Sequence, residues 1–185
     1  QACYFGQVQT STRTHLFSCM ASVGFDAQVV AHVSSPFKKM VGKTAYVYTA
    51  LKLFCRLNKF KAQPPIDLEI DGIPAEQPVY GVIVCKAKHY GGKFVLARHA
   101  GLSDKTFEVI TIHKKGRMAL LRLALALGFG RVEALPFTAT VTANSVTCAA
   151  AQDTFGQLPL QTDGDASLNA PCYISLAPHA FKVIK

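Results

Sequence analysis

Ile66-Asp67-Leu68-Glu69-Ile70-Asp71-Gly72 alternates apolar and acidic residues and stops at a turn dipeptide. Successive strand side chains point to opposite faces, so Ile66, Leu68 and Ile70 face a core while Asp67, Glu69 and Asp71 face water. Asp-Gly tolerates the positive φ angles of a two-residue hairpin turn. The segment therefore predicts a half-buried strand ending in a hairpin, and Pro78 to Cys85 is the expected partner strand.

Outward from this strand the chain repeats the theme. Thr14 to Met20 and Ala21 to Val23 read as strands running into Gly24, and Thr106 to Ile112 as another. Phe137 to Ala151 is rich in Thr and Val, which suit a pleated surface. Leu158 to Thr162, after a turn at Phe155-Gly156, Cys172 to Leu176 and Ala180 to Ile184 complete the β pattern. Helices interrupt it. Asp26 caps a short one reaching Val33. Lys43 to Lys61 places Val47, Ala50, Leu51, Phe54 and Leu57 on one apolar face, with Lys52, Arg56 and Lys59 as a cationic stripe. Lys38, Lys39 and Lys43 add charge before it, and Pro64-Pro65 ends it. Gly116 to Leu127 is rich in Leu and Ala and apolar nearly all round. Burial in the core is expected, with lining of an acyl-chain cleft as the alternative. The fold class is mainly β: a two-sheet β-sandwich with two or three inserted helices, residues 1–185 forming one domain.

Twenty basic residues against 11 acidic give a formal net charge of +9. That balance favours anionic partners: phosphates, nucleic acid or an acidic membrane surface. Nucleic acid ranks last, because no aromatic–basic platform accompanies the charge. The six cysteines show no C-x-x-C spacing and lie mostly in apolar runs, as expected of reduced thiols in a cytosolic protein. The longest apolar stretch, Met118 to Phe129, is too short to span a bilayer. No secretory signal is evident. The first residue is Gln1, so the chain is expected to begin mid-protein.

Three segments carry candidate chemistry. Gln161-Thr162-Asp163-Gly164-Asp165 sets two carboxylates around a glycine. Such a pair binds Mg²⁺ or raises one member's pKa towards general-base use; the same residues also make an ordinary turn. Lys88-His89-Tyr90-Gly91-Gly92-Lys93 is a glycine-rich turn whose N–H groups and lysines suit phosphate. Asp104, just before a strand, is either a metal ligand or a turn residue. Hydrolase-elbow, zinc-protease and protein-kinase signatures are absent from the sequence.

In order along the chain, these segments resemble the C-terminal domain of the diacylglycerol kinase and sphingosine kinase superfamily. Val23-Gly24-Phe25-Asp26-Ala27 is similar to the family's "iGfDA" segment and Tyr90-Gly91-Gly92 to its "yGGG" turn. Arg98-His99-Ala100 with Asp104 and Glu108 resembles "P-x-A…DG-x-hD", and Gln161 to Asp165 resembles "Q-x-DGE". Ala177 to Val183 is similar to the family's ending. The resemblance implies an ATP-dependent lipid kinase whose N-terminal domain, with its "GGDGT" nucleotide loop, lies outside this chain, which alone would be silent. It implies Asp165 as proton acceptor and Asp163 at the metal and phosphates, with Gly164, Gly91 and Gly92 near the nucleotide. It also implies a structural Mg²⁺ on Asp104 and the carbonyls of Gly101 and Thr106. Asp165 stands in place of Glu, Lys93 of a third Gly, Lys105 of the Gly after Asp104, Arg98 of Pro, and Lys86 of a frequent Asn. The implied partners are a lipid substrate, the chain's own N-terminal domain and an anionic membrane surface, with a homodimer admitted. The implied location is cytoplasmic and peripheral to membrane. Two further readings share these residues: a non-catalytic module binding anionic lipid, and a nicotinamide-dinucleotide kinase of related architecture.

Overall fold

A computed structural model describes residues 2–24, 26–28, 64–90, 94–151 and 158–182. The expected helix Lys43 to Lys61 with its cationic stripe, Gly91, Gly92, Lys93 and the Phe155-Gly156 turn lie outside them.

The alternating stretch is strand β5 (Ile66–Ile70), with Ile66 and Leu68 buried and Asp67 and Glu69 exposed. Asp71 and Gly72 take φ of 51° and 80°. They turn the chain into the short β6 (Ile73–Pro74), with Ile70 opposite Ile73. Pro78 to Cys85 is not the partner of β5. After a single bridge between Ile66 and Val79, the chain crosses to the other sheet as β7 (Gly81–Cys85). The reason is legible in the residues: Val82-Ile83-Val84-Cys85 is apolar without alternation. It suits a strand covered on both faces, whereas β5 has one wet face.

Two six-stranded antiparallel sheets form the sandwich among the described residues. One contains β2 (Gly6–Thr10), β3 (Thr14–Phe17), β15 (Cys172–Leu176), β12 (Ser145–Ala150), β5 and β6, in the order β3-β2-β15-β12-β5-β6. The other contains β4 (Met20–Gly24), β7, β10 (Phe107–Ile112), β11 (Thr138–Ala143), β13 (Pro159–Thr162) and β14 (Asp165–Asn169), in the order β11-β10-β7-β4-β13-β14. The expected single run from Phe137 to Ala151 divides at Asn144, so that β11 and β12 belong to different sheets. Likewise Thr14 to Val23 breaks at Ser18-Cys19 and changes sheet.

Between the sheets lie Val8, Phe17, Val23, Val82, Val84, Phe107, Val109, Val146, Leu160 and Ile174, all almost fully buried. Each such side chain contributes roughly 1.5–3 kcal/mol by leaving water. The second sheet is also covered on its outer face. There Met20, Ile83, Cys85 and Ile110 pack with Leu96, Ala97, Ala100 and Val132.

Helix α1 (Arg117–Gly128) rests on that outer face through Leu123, Ala126 and Leu127. Its Leu- and Ala-rich sequence has high intrinsic helix propensity. It ends in a Schellman turn: Gly130 has φ of 62°, Arg131 N–H reaches Ala126 O at 2.8 Å, and Gly130 N–H reaches Leu127 O at 3.1 Å. The expectation of a buried helix is corrected. Only Ala119 among its described side chains is buried, while Met118, Leu121 and Leu125 are 62%, 39% and 55% exposed. A single helix on the outside of a sandwich covers the sheet with one face only. No helix among the described residues is long and apolar enough to cross a membrane.

Candidate functional site

Leu120, Leu123, Ala124 and Leu127 of α1 face β4, β7 and β10 across a cavity of about 130 Å³. Ile83 and Ile112, from the outer face of the sheet, form its floor. Its walls are almost wholly apolar, and its polar lining comes from Asp26 and Tyr90. Helix α1 therefore forms one wall of this cavity.

Asp26 sits in the helical residues 26–28, directly after β4. Its carboxylate accepts hydrogen bonds from the Tyr90 hydroxyl, from Ser22 Oγ at 2.5 Å and from Gln161 Nε2 at 2.9 Å. Gln161, on β13 and 1% exposed, also donates to Ser22 Oγ at 3.0 Å and accepts from Gly164 N–H at 2.8 Å. A buried amide with several partners holds one orientation. The polar end of the cavity is thus tied through Gln161 to the Asp163-Gly164 turn.

That turn is a two-residue hairpin between β13 and β14. Thr162 pairs with Asp165, and Asp163 and Gly164 have φ of 49° and 88°. Asp163 is exposed, yet its carboxylate is engaged by the backbone of the neighbouring corner. Its Oδ1 accepts from Cys19 and Met20 N–H at 2.8 and 2.9 Å; its Oδ2 accepts from Ser18 N–H at 2.7 Å and Ser18 Oγ at 3.0 Å. A carboxylate has about four acceptor positions, and all are filled. In this structure Asp163, expected at the metal and phosphates, clamps the β3–β4 corner to the turn. Gly164 N–H is likewise engaged by Gln161. Asp165 opens β14 and is exposed.

The 101–106 loop brings together the carbonyls expected to hold Mg²⁺, but around a different cation. Lys86, directly after β7, is fully buried. Its Nζ donates to Gly101 O at 3.0 Å, to Thr106 O at 3.2 Å and to Asp104 O. The Phe107 ring lies 5.9 Å from the ammonium. Burial pushes the Lys86 pKa below the usual lysine value, and the charge of Asp104 opposes that shift. Tested against this donor set, Mg²⁺ does not fit, because its expected carbonyl ligands already accept from an ammonium. Among the described residues no group of three or more His, Cys, Asp or Glu could hold a metal ion. Among the described residues no two cysteines form a disulfide. Burial pushes the Cys85 thiol pKa far up, with Glu108 and Asp26 adding to it, so this thiol is inert.

The family described as "YegS C-terminal NAD kinase beta sandwich-like domain" matches residues 19–185. The chain belongs to this family. Among relatives of this YegS-type domain is the Pseudomonas putida protein named "Probable lipid kinase YegS-like", 30% identical over 94 residues, which are 51% of this chain and 30% of that protein. Among solved structures, a candidate diacylglycerol kinase from Bacillus anthracis superposes with a TM-score of 0.67 at 18% identity, over 96% of this chain and 55% of that one. A diacylglycerol kinase from the same organism gives 0.54 at 13% identity, over 95% and 50%. At such identities the likeness establishes the fold. The chain spans about half the length of these solved structures.

The sequence did not single out Asp26, Tyr90 and Gln161 as site residues. Each stands inside a segment quoted for the resemblance, but only the tertiary fold brings strands β4, β8 (His89–Tyr90) and β13 together. Lys86 appeared only as a departure from the family pattern.

Proposed function

We propose that this YegS-type domain is the acceptor-binding half of an ATP-dependent lipid kinase acting on a lipid hydroxyl of the diacylglycerol class. The observation that carries the reading is the apolar cavity between α1 and the β4–β7–β10 face, with its polar end linked through Asp26 and Gln161 to the Asp163–Asp165 turn. An apolar cleft with a few convergent polar groups suits an acyl chain that ends in a hydroxyl-bearing head. ATP, held by a nucleotide-binding domain outside this chain and accompanied by Mg²⁺, would supply the phosphoryl group. In this reading the chain's own work is placement. The cavity takes the acyl chain, the Asp26–Tyr90–Gln161 network fixes the polar rim, and Asp165 accepts the proton of the attacking hydroxyl. Phosphoryl transfer asks little more of a protein than position and charge.

The exposed face of α1 supports a companion proposal. Met118, Leu121 and Leu125, with Phe129 just beyond, are exposed around Arg122. An apolar strip with cationic neighbours suits the surface of an anionic membrane, from which an acceptor lipid would be drawn.

The test is phosphate transfer from ATP to diacylglycerol by the full-length protein. Transfer by the wild type that falls at least 100-fold in Asp165→Ala, at unchanged thermal stability, is expected from the usual weight of a general base. Full activity in Asp165→Ala would refute the assigned base.

A further inference from the structure

The Lys86 site goes beyond the kinase reading and does not depend on it. An ammonium has three donors, and here three backbone carbonyls, those of Gly101, Asp104 and Thr106, converge on it. The side chain is fully buried. A buried charge persists only when its donors are satisfied. The Phe107 ring at 5.9 Å and the neighbouring Asp104 charge add to that compensation. We propose that the Lys86 ammonium is a built-in replacement for a divalent cation in the 101–106 loop, making this part of the domain independent of Mg²⁺.

A metal ion entering the same oxygens would have to expel the lysine or share them with it, and two cations on one set of ligands repel strongly in a buried site. A dissociable ion stabilises a fold according to its free concentration. A cation attached to the chain does so at any concentration.

What it holds in place reaches further than the loop. The backbone N–H groups of Lys86 and Ala87 donate to Cys19 O at 2.8 and 3.1 Å. Cys19 N–H in turn donates to Asp163. The lysine therefore sits on the same corner that the hairpin aspartate clamps.

Thermal unfolding of the full-length protein without nucleotide, in EDTA and in millimolar Mg²⁺, tests the proposal on wild type and Asp104→Asn. The two are expected to respond identically to Mg²⁺. A stabilisation of the wild type by Mg²⁺ that Asp104→Asn loses would overturn the proposal. In EDTA, Lys86→Asn is expected to unfold roughly 5 °C or more below wild type, since it orphans buried carbonyls. An unchanged unfolding temperature would overturn it equally, and the first comparison stands even if this variant does not fold.

Discussion

Asp163 and Asp71 are the same device used twice. Each opens an Asp-Gly hairpin with positive φ, and each turns its carboxylate onto the backbone of a neighbouring corner. Asp71 Oδ1 accepts from Asn144 and Ser145 N–H at 2.9 and 2.8 Å, as Asp163 does from Cys19 and Met20. The sequence made both turns legible, because Asp-Gly demands little else. It could not reveal the second duty, since the donating N–H groups lie 145, 144 and 143 residues from Asp163 for Ser18, Cys19 and Met20. Asp163→Ala should cost about 2 kcal/mol of stability, the net scale for losing several hydrogen bonds to one charged acceptor. Denaturant titration would measure it, and no loss would mean that the corner holds without the clamp. Asp71 adds a pH dependence. Desolvation raises its pKa, but the N–H groups of Ser145 and Asn144 outweigh this and hold it below the usual carboxylate value. A depressed folded-state pKa gives stability that is present above the unfolded value and lost as pH falls through the folded one. Wild type should therefore lose more stability than Asp71→Asn as the pH drops below about 4, and parallel pH profiles would remove Asp71 from the account.

At the level of elements, burial on one or two faces decided what the sequence disclosed. Strand β5 alternates and was readable with its facing. Strands β4, β7 and β10 are buried throughout, so their apolar runs announce strands but not neighbours, and β7 pairs with β4 and β10 rather than with β5 as expected. Helix α1 misled for a related reason. Its apolar residues serve three settings: the sheet, the cavity and an exposed face. Composition cannot separate these. Two substitutions test the elements. A Cβ at Gly6 would lie 2.1 Å from the buried Phe17 ring, so Gly6→Ala should destabilise the β2–β3 pair by about 3 kcal/mol. Wild-type stability in that variant would mean that the ring has room to move. Ala124→Phe places a ring at the cavity wall. It should lower lipid phosphorylation at least 10-fold while leaving the unfolding temperature within about 2 °C of wild type.

Across the whole molecule, the sandwich separates duties between its faces. The inter-sheet core supplies stability, and the sheet of β4, β7 and β10 presents its outer face to α1 and the cavity. The hairpin at Asp163 and the lysine-filled loop at 101–106 both brace the corner at residues 18–20 where the chain passes from one sheet to the other. The family was readable from five ordered segments, and residues 19–185 belong to it. The cation site was not, because a lysine in place of Asn reads as a surface change until its burial is known. The central claim is that the apolar cavity takes the acyl chain of a lipid acceptor. Its most direct test is phosphate transfer from ATP to diacylglycerol by the full-length protein, comparing wild type with Ala124→Phe at matched folding. The account predicts transfer by the wild type and its loss when the cavity is filled. Equal transfer by both, or none by a folded, ATP-binding wild type, would contradict it.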